Sequence, residues 1–258
     1  MNKTLKIITS VAAVIVVAVA VVFYFTADMV GVADDFFSAV KSKDFAKAYS
    51  FVSEDFKAGT SEGELSNFLT KSGLSGFKSA SWKERSISGN LGELTGSVST
   101  ESGGVVPIKL NFVKSESGWK IYSMAKPPPG LQEKATAGQI PSEEEQVKLV
   151  SGAMHVFAVS VNKKSMAELH AFSSNLMQQQ FTIEKLTDAF NPFYKLGIDL
   201  TLLDKYGPIF DENASINEDG VLIIKGYYPT KPDKVFFQQK YIYEGLSWKL
   251  LGISVEIK

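Results

Sequence analysis

The sequence predicts an α+β protein in which an N-terminal transmembrane helix precedes two tandem domains, each with three helices followed by a four-stranded antiparallel sheet. Residues 7–25 carry no charge. Beyond them, apolar residues recur first at helical spacing and then at alternate positions, and this order occurs twice. Each copy ends in a Trp-Lys strand, at Trp119 and at Trp248. A separation of about 120 to 129 residues between equivalent positions indicates tandem domains rather than a short-period repeat.

The uncharged N-terminal run is long enough to cross a bilayer. As a helix, its ~19 residues at ~1.5 Å each span about 28 Å, close to the thickness of the hydrocarbon core. A cleaved signal peptide is the alternative, because Ala18 and Ala20 offer small residues at cleavage spacing, but the run exceeds the usual ~7 to 15 apolar residues. We therefore expect residues 1–27 to form a cytoplasmic tail and anchor that contacts the membrane via residues 7–25.

The charges on either side of this run predict its orientation. Lys3 and Lys6 precede it, whereas Asp28, Asp34 and Asp35 follow it. The positive-inside rule then places the N-terminus in the cytoplasm. The expected location is the cytoplasmic (inner) membrane, crossed once, with the bulk of the chain periplasmic or extracellular.

The first domain is expected over residues 28–126. Helical spacing predicts one helix over residues 28–43, Asp44 can cap a second, and residues 61–64 form a capping box before a third. The apolar period then changes to two, which predicts strands over residues 79–87, 91–100, 105–113 and 119–124. Short glycine-containing turns separate these strands, so antiparallel hairpins are expected.

A proline-rich linker over residues 127–141 leads to the second domain, residues 142–258. Ser142 followed by three glutamates predicts a helix start, with carboxylates near the positive end of the helix dipole. Two further helices are expected, over residues 165–172 and after Thr182. Strands are predicted over residues 198–203, 221–228, 235–243 and 248–257.

Composition narrows the possible functions. The 258 residues include 27 Lys+Arg and 28 Asp+Glu, and neither domain has the basic excess that nucleic-acid binding requires. Cysteine is absent, which excludes disulfides, thiolate nucleophiles and cysteine metal sites. His155 and His170 are the two histidines, and their spacing supplies no convergent ligand set, so we expect no metal and no cofactor.

The order of elements resembles a known superfamily. Helices followed by an antiparallel meander that ends in a Trp-Lys-apolar strand, at Trp119 and again at Trp248, are similar to the nuclear transport factor 2-like (ketosteroid-isomerase-like, cystatin-like) superfamily. The resemblance covers most of residues 28–258 and includes no catalytic motif. It implies two cone-like domains whose helices pack on a curved sheet, with a mouth that often holds a ligand. Because members include enzymes, ligand binders and association domains, the fold does not decide the function.

Few polar residues suit acid–base chemistry. On the predicted strand 198–203, Asp199 lies opposite the apolar residues, where a concave face would raise its pKa by burial. A solvated strand face is the alternative. His155 lies beside the apolar stripe of its helix, and is either a pocket residue or a histidine at the edge of the core. In the first domain, Glu84 shares a predicted strand face with Trp82, so it is the acidic cavity candidate there, with an exposed position as the alternative.

Aromatic residues gather on two neighbouring strands of the second domain: Tyr227, Tyr228, Phe236, Phe237, Tyr241 and Tyr243. Alternation places Phe237, Tyr241 and Tyr243 on one face and Phe236 on the other. One face has to pack on the helices, so the other is available to the first domain, a partner or a ligand. The candidate pocket or interface residues on these strands are therefore Tyr227, Phe237, Tyr241 and Tyr243.

The preferred interpretation is a single-pass membrane-anchored extracytoplasmic (periplasmic) module that binds or assembles without catalysis. The two copies share caps, turns and a closing strand, but the single arginine, Arg85, is in the first and both histidines are in the second. A protein partner or a homo-oligomer in the envelope is expected. The alternative is a small apolar ligand-binding or enzymatic pocket in the second domain. The plan also resembles inner-membrane scaffolds of type IV secretion systems, which usually carry one such domain, and domains accessory to cell-wall synthesis.

Overall fold

The computed structural model describes residues 26–126, 140–217 and 219–258. The chain divides into two compact units, residues 1–131 and residues 132–258. Both units are α+β, because short helices come first in each and an antiparallel sheet follows.

The fold class predicted from the sequence includes a transmembrane helix, and the structure corrects this prediction. Within the described residues, no helix combines the length and the apolar character that crossing a membrane requires. The 20-residue helix Glu143–Asn162, for example, begins with three glutamates. The segment expected to cross the membrane, residues 7–25, lies outside the described residues.

Four helices precede the sheet in the described part of the first unit, where three were expected. Residues 26–41 are helical (α1), and α2 (Phe45–Ser50), α3 (Glu54–Gly59), α4 (Glu62–Lys71) and the 3-10 helix Leu74–Gly76 follow. The additional helix, α3, begins at a cap that the sequence pattern did not reveal. The Ser53 hydroxyl accepts a hydrogen bond from the Phe56 backbone nitrogen at 3.1 Å. The capping box expected at Ser61 and Glu64 is present.

The sheet of the first unit is an antiparallel meander, and the expected hairpins are confirmed. Its strands β1 (Phe77–Ser88), β2 (Leu91–Thr100), β3 (Val105–Ser115) and β4 (Gly118–Ala125) are neighbours in chain order. Side chains of the inner face and of the helices form a core that includes Phe36, Phe37, Phe56, Leu94, Ile108 and Phe112. The outer face carries hydroxyl side chains on β1 and β2, including the cross-strand pairs Ser79–Ser99 and Ser81–Ser97.

The described residues of the second unit contain five helices, again more than the three expected. They are α5 (Glu143–Asn162), α6 (Ala167–Phe172), α7 (Asn175–Gln180), α8 (Ile183–Ala189) and α9 (Asn191–Tyr194). Helix α7 exists because the Ser174 hydroxyl accepts a hydrogen bond from the Met177 backbone nitrogen at 3.2 Å. Helix α9 has Pro192 in its first turn, where the missing N–H of proline costs nothing.

The strand expected over residues 198–203 is wrong. The structure has the 3-10 helix Leu200–Lys205 there, because the Asp199 carboxylate accepts a hydrogen bond from the Thr201 backbone nitrogen at 3.0 Å and starts a turn. Leu200 and Leu203 are buried three positions apart, which is the period of a 3-10 helix. Over so short a run, the same apolar residues also satisfy the alternation of a strand.

The sheet of the second unit has five strands in its described part, where four were expected. They are β5 (Ile209–Phe210), β6 (Ser215–Ile216), β7 (Leu222–Tyr228), β8 (Val235–Glu244) and β9 (Ser247–Ile257). All pairings are antiparallel, in the order β5-β7-β8-β9, and β6 also pairs with β7. Strands β5 and β6 have two residues each, too few to produce a periodic signal.

A buried carboxylate joins the β8–β9 hairpin to helix α7. Glu244 is 2% exposed, and its two oxygens accept hydrogen bonds from the Asn175 backbone nitrogen at 3.2 and 3.1 Å. That N–H belongs to the first turn of α7, where backbone donors have no partner within the helix. The contact therefore satisfies a helix end and fixes the hairpin against it.

Glu244→Ala is expected to lower the free energy of unfolding by about 2 to 3 kcal/mol, because it removes a buried, charge-assisted acceptor from the half-buried Asn175 backbone donor. Glu244→Gln keeps one acceptor oxygen and should lose about half as much. Urea unfolding followed by circular dichroism measures both variants. A Glu244→Ala protein as stable as the unchanged chain would contradict this role.

Candidate functional site: the aromatic sheet of the second unit

The aromatic residues of β7 and β8 divide between the two faces of the sheet. Tyr228, Phe237 and Tyr241 lie on the inner face and are at most 4% exposed. Tyr227 and Phe236 are direct cross-strand partners on the outer face, where both are half-buried. Phe237 and Tyr241 therefore lie on the opposite face of the sheet from Phe236, as the alternation in the sequence predicts.

The polar groups of the inner face are used for packing. The Tyr241 hydroxyl donates to the Gln239 side-chain oxygen, and the amide nitrogen of the fully buried Gln239 donates to the Val150 backbone oxygen of α5 at 3.4 Å. Burial raises the pKa of Tyr241 well above its ordinary value. Its hydroxyl therefore stays protonated and acts as a hydrogen-bond donor rather than as a base.

His155 forms a pair with a residue that the sequence analysis did not single out. Its Nδ1 lies 2.7 Å from an Asp204 carboxylate oxygen, which connects α5 to the 3-10 helix Leu200–Lys205. The pair is near the inner-face residue Tyr228, whose pKa is raised first by burial and further by Asp204, while the Ser151 hydroxyl lowers it. No local pattern reveals this pair, because its members are 49 residues apart.

Asp199 is an exposed cap rather than a desolvated base. Its carboxylate accepts hydrogen bonds from the Thr201 hydroxyl at 2.6 Å and from the Asn162 side-chain nitrogen at 2.8 Å. The Thr201 hydroxyl, followed by Asn162, lowers the pKa of Asp199. The hypothesis of a pKa raised by burial is therefore wrong.

Tyr243 lies beside a groove at the edge of the sheet. Its hydroxyl donates to the Leu246 backbone oxygen at 2.9 Å, and its ring meets Trp248 edge-on with centroids 5.3 Å apart. Burial raises the pKa of Tyr243 to about 12. The groove has a volume of about 290 Å³ and is lined by Leu149, Ala171, Phe172, Tyr241, Trp248, Lys249 and Leu250.

Lysines cover the aromatic pair of the outer face. The rings of Tyr227 and Phe236 have centroids 5.5 Å apart. Lys234 Nζ lies 4.1 Å from the Tyr227 centroid, and Lys258 Nζ lies 5.7 Å from the Phe236 centroid. These are cation–π distances.

The two candidates in the first unit lie on opposite faces of β1, so the expectation that they share a face is wrong. Trp82 pairs with Gly96, but Glu84 pairs with Thr95, because a register shift falls between them. This bulge turns Glu84 to the exposed side, whereas Trp82 is buried with its ring centroid 6.4 Å from that of Phe37.

Asp34 on α1 is a further residue of interest near Trp82. Burial raises its pKa, the Trp82 indole lowers it, Asp35 raises it and Arg85 lowers it. The indole nitrogen is buried and forms no hydrogen bond within ordinary distance and angle limits, so its influence on Asp34 comes from proximity. The signal in the sequence was weak, since Asp34 lies on the border between the polar and apolar sides of its helix.

The structure thus brings together only part of the candidate set. Phe237 and Tyr241 share the inner face, with Tyr243 nearby, whereas Asp199 belongs to a separate surface turn. Within the described ranges, no group of three or more His, Asp or Glu residues is placed to hold a metal ion.

Comparisons with known proteins add little to this picture. No family model and no curated protein matches the chain. A solved structure at 2.10 Å resolution, described as a cystatin-like protein from Ruminococcus gnavus ATCC 29149, is similar at 13% identity and a TM-score of 0.26. The match covers 88% of this chain and 91% of that chain. The membrane anchor stays a prediction.

The buried tyrosines give an expected loss of stability at alkaline pH. Burial raises the pKa of Tyr243 to about 12 and that of Tyr241 in the same direction, whereas tyrosine in an unfolded chain ionises near pH ~10. Because the folded state binds these protons more tightly, their contribution to stability is present below pH ~10 and is lost as the pH rises through the folded-state pKa.

The free energy of unfolding of the second unit should therefore fall between about pH 10 and pH 12. Tyr243→Phe should make that fall shallower. Denaturant unfolding at a series of pH values, with tyrosinate absorbance recorded in parallel, measures both. A stability independent of pH across this window would show that these hydroxyls are not buried as described.

Proposed function

We propose that the chain is a membrane-anchored extracytoplasmic (periplasmic) module that binds or assembles with a protein partner and catalyses no reaction. The observation that carries the proposal is the filled interior of the second unit. Phe157 on α5 meets Phe190 and Phe193 edge-on, with ring centroids 5.0 and 5.4 Å apart. Tyr228 and Phe237 fill the opposite side, with centroids 5.8 Å apart. A ligand or substrate pocket in a domain of this architecture needs the space that these rings occupy.

The interior of the first unit supports the same proposal. Phe37 stacks on Phe77 with ring centroids 5.2 Å apart and meets Phe36 edge-on at 5.1 Å. Phe56 and Phe112 are also buried. Because aromatic rings occupy these parts of both interiors, the surfaces of the described units are the preferred sites of recognition.

The outer face of the second sheet is the surface best suited to a protein partner. Tyr227 and Phe236 lie near the β7–β8 hairpin, and Ile223 and Ile242 lie further along the same face, all only half-buried. Aromatic side chains are enriched where proteins bind each other, because they bury a large area at a low cost in side-chain entropy. Placement at a membrane rests on the uncharged run of residues 7–25 in the sequence.

Site-specific cross-linking in cells tests this function. The chain has no cysteine, so Gln238→Cys on the outer face provides a single attachment point for a thiol-reactive cross-linker. Gln179→Cys, on the exposed side of α7, is the matched control. We expect a discrete protein adduct from Gln238→Cys and none from Gln179→Cys.

An adduct of twice the mass of the chain would identify a second copy as the partner and would support assembly. An adduct of another mass, identified by mass spectrometry, would support a different protein partner. The absence of any adduct from Gln238→Cys at native expression level would overturn the proposal.

A second candidate function is binding of a small apolar ligand in the groove beside Trp248. The groove volume of about 290 Å³ is at the lower limit of ligand pockets, which are commonly about 300 to 1,000 Å³. Its walls include the apolar side chains of Leu149, Phe172 and Trp248. This chemistry fits an acyl chain.

Titration of the full chain with dodecanoate, followed by tryptophan fluorescence, tests the second candidate. Binding should change the emission of the unchanged chain but not that of Trp248→Phe. Phe172→Glu places a charge on the groove wall at a side chain that is already 42% exposed, and should weaken binding about tenfold or more. An equal response in Phe172→Glu would contradict binding in this groove.

A further inference from the structure

The outer face of the second sheet carries several lysines, and two of them lie beside its aromatic pair. We give the name lysine face to Lys225, Lys234, Lys240 and Lys258, which share this face or its end, and Lys249 lies on the same side opposite Ile242. Lys225 pairs with Glu212 at 2.6 Å, and Lys258 pairs with Glu256. Lys234 and Lys240 are exposed and form no ion pair with the described residues. The lysine face therefore keeps an excess of positive charge.

This excess runs against the charge of the unit that carries it. Residues 142–258 contain 12 lysines, no arginine and 15 acidic residues. Many of the acidic residues belong to the helices, including the three glutamates that begin α5. A surface on which lysines are gathered within an acidic unit creates a local field that selects partners of opposite charge.

The aromatic rings hold two of the ammonium groups in place. Lys234 Nζ lies over Tyr227 at 4.1 Å, and Lys258 Nζ lies over Phe236 at 5.7 Å. The backbones of Lys234 and Lys258 are themselves paired, with N–O distances of 2.7 and 3.0 Å. Lys234 thus presents an ammonium group held against a ring, which lowers the entropy lost when an anionic group binds, whereas the Lys258 ammonium is also paired with Glu256.

The first unit shows what a solvated outer face of the same kind of sheet contains. Ser79, Ser81, Ser97 and Ser99 form its cross-strand pairs on β1 and β2. Neither an aromatic pair nor a group of lysines is present on those two strands of the outer face. On β3 and β4 the outer face of the first sheet carries Lys109 and Lys120, and Lys109 is buried and paired with Glu93 at 2.9 Å. The exposed, unpaired lysines beside an aromatic pair therefore distinguish β7 and β8 from β1 and β2.

We infer that the lysine face binds an acidic, carboxylate-rich segment of the protein partner, an inference that rests on the proposed function. Carboxylates suit this surface better than dense phosphates. The second unit has no arginine for bidentate phosphate contacts. The half-buried rings of Tyr227 and Phe236 add apolar contact area, which a protein segment can use.

Binding of a fluorescently labelled octaglutamate peptide to the full chain tests the inference. Lys234→Gln/Lys240→Gln should bind about tenfold more weakly than the unchanged chain, because two unpaired cations are removed. Lys185→Gln/Lys195→Gln removes the same charge from exposed positions, one in α8 and one directly after α9, and should bind within about twofold of the unchanged chain. Raising the ionic strength should weaken binding of the unchanged chain much more than that of Lys234→Gln/Lys240→Gln.

An oligothymidylate of equal charge and vesicles containing phosphatidylglycerol serve as the other probes. Preference for octaglutamate that is lost in Lys234→Gln/Lys240→Gln supports the inference. Equal weakening in both double variants, or tighter lysine-face-dependent binding of oligothymidylate or vesicles, would overturn it.

The cross-link from Gln238→Cys separates this inference from the proposed function. Loss of the adduct when Lys234→Gln/Lys240→Gln is added supports both. An adduct that persists unchanged in that background leaves the assembly function standing and overturns the acidic partner. If Gln238→Cys gives no adduct when both lysines are present, the proposed function itself fails.

Discussion

The packing of α5 against the inner face of β7, β8 and β9 is the constraint on which the second unit depends. Every second residue of β8 has to enter this interface, so the strand has no freedom in which face it presents. Phe237 and Tyr241 are inside, and Gln239 between them is fully buried with its amide bound to the α5 backbone at Val150. A one-residue slip would place Phe236 and Lys240 in the core instead, which the burial of a charge forbids.

The same constraint decides which residues are available for recognition. Once Phe237 and Tyr241 are committed to the interior, Phe236 and its partner Tyr227 have to face outward. The same side of the sheet also carries three lysines. Lys240 alternates with the inward residues of β8, and Lys234 and Lys258 form the backbone pair that extends the β8–β9 pairing by one residue. Core packing therefore determines which residues face outward, and the lysine and aromatic side chains at these positions form the proposed binding surface. In the first unit the same geometry exposes serine and threonine.

The sequence predicted the features that rest on local signals. The capping box at Ser61, the helix start at Ser142 and the hairpins of the first sheet have the expected positions, since each depends on residues close together in the chain. The extra helices were missed because single serine caps, at Ser53 and Ser174, do not stand out from ordinary polar residues. The segment after α9 was misassigned because six residues cannot distinguish a strand from a 3-10 helix.

Candidate site residues were harder to predict, because their surroundings depend on contacts that are distant in sequence. The partnership of His155 with Asp204 spans 49 residues, and the bulge that separates Trp82 from Glu84 depends on the pairing of β1 with β2. The two-faced distribution of aromatics, in contrast, followed from simple alternation within β8. Periodicity thus gives the face of a strand, and only tertiary structure gives what that face meets.

Covalent footprinting of lysines tests the central claim most directly. Amine acetylation of the chain in its native cells, compared with the purified protein, reports which lysines a partner covers. Protection of Lys234 and Lys240 in the cells, with Lys185 and Lys195 equally reactive in both preparations, is the expected result. Equal reactivity of all four lysines in both preparations would contradict a binding role for the outer face of the second sheet.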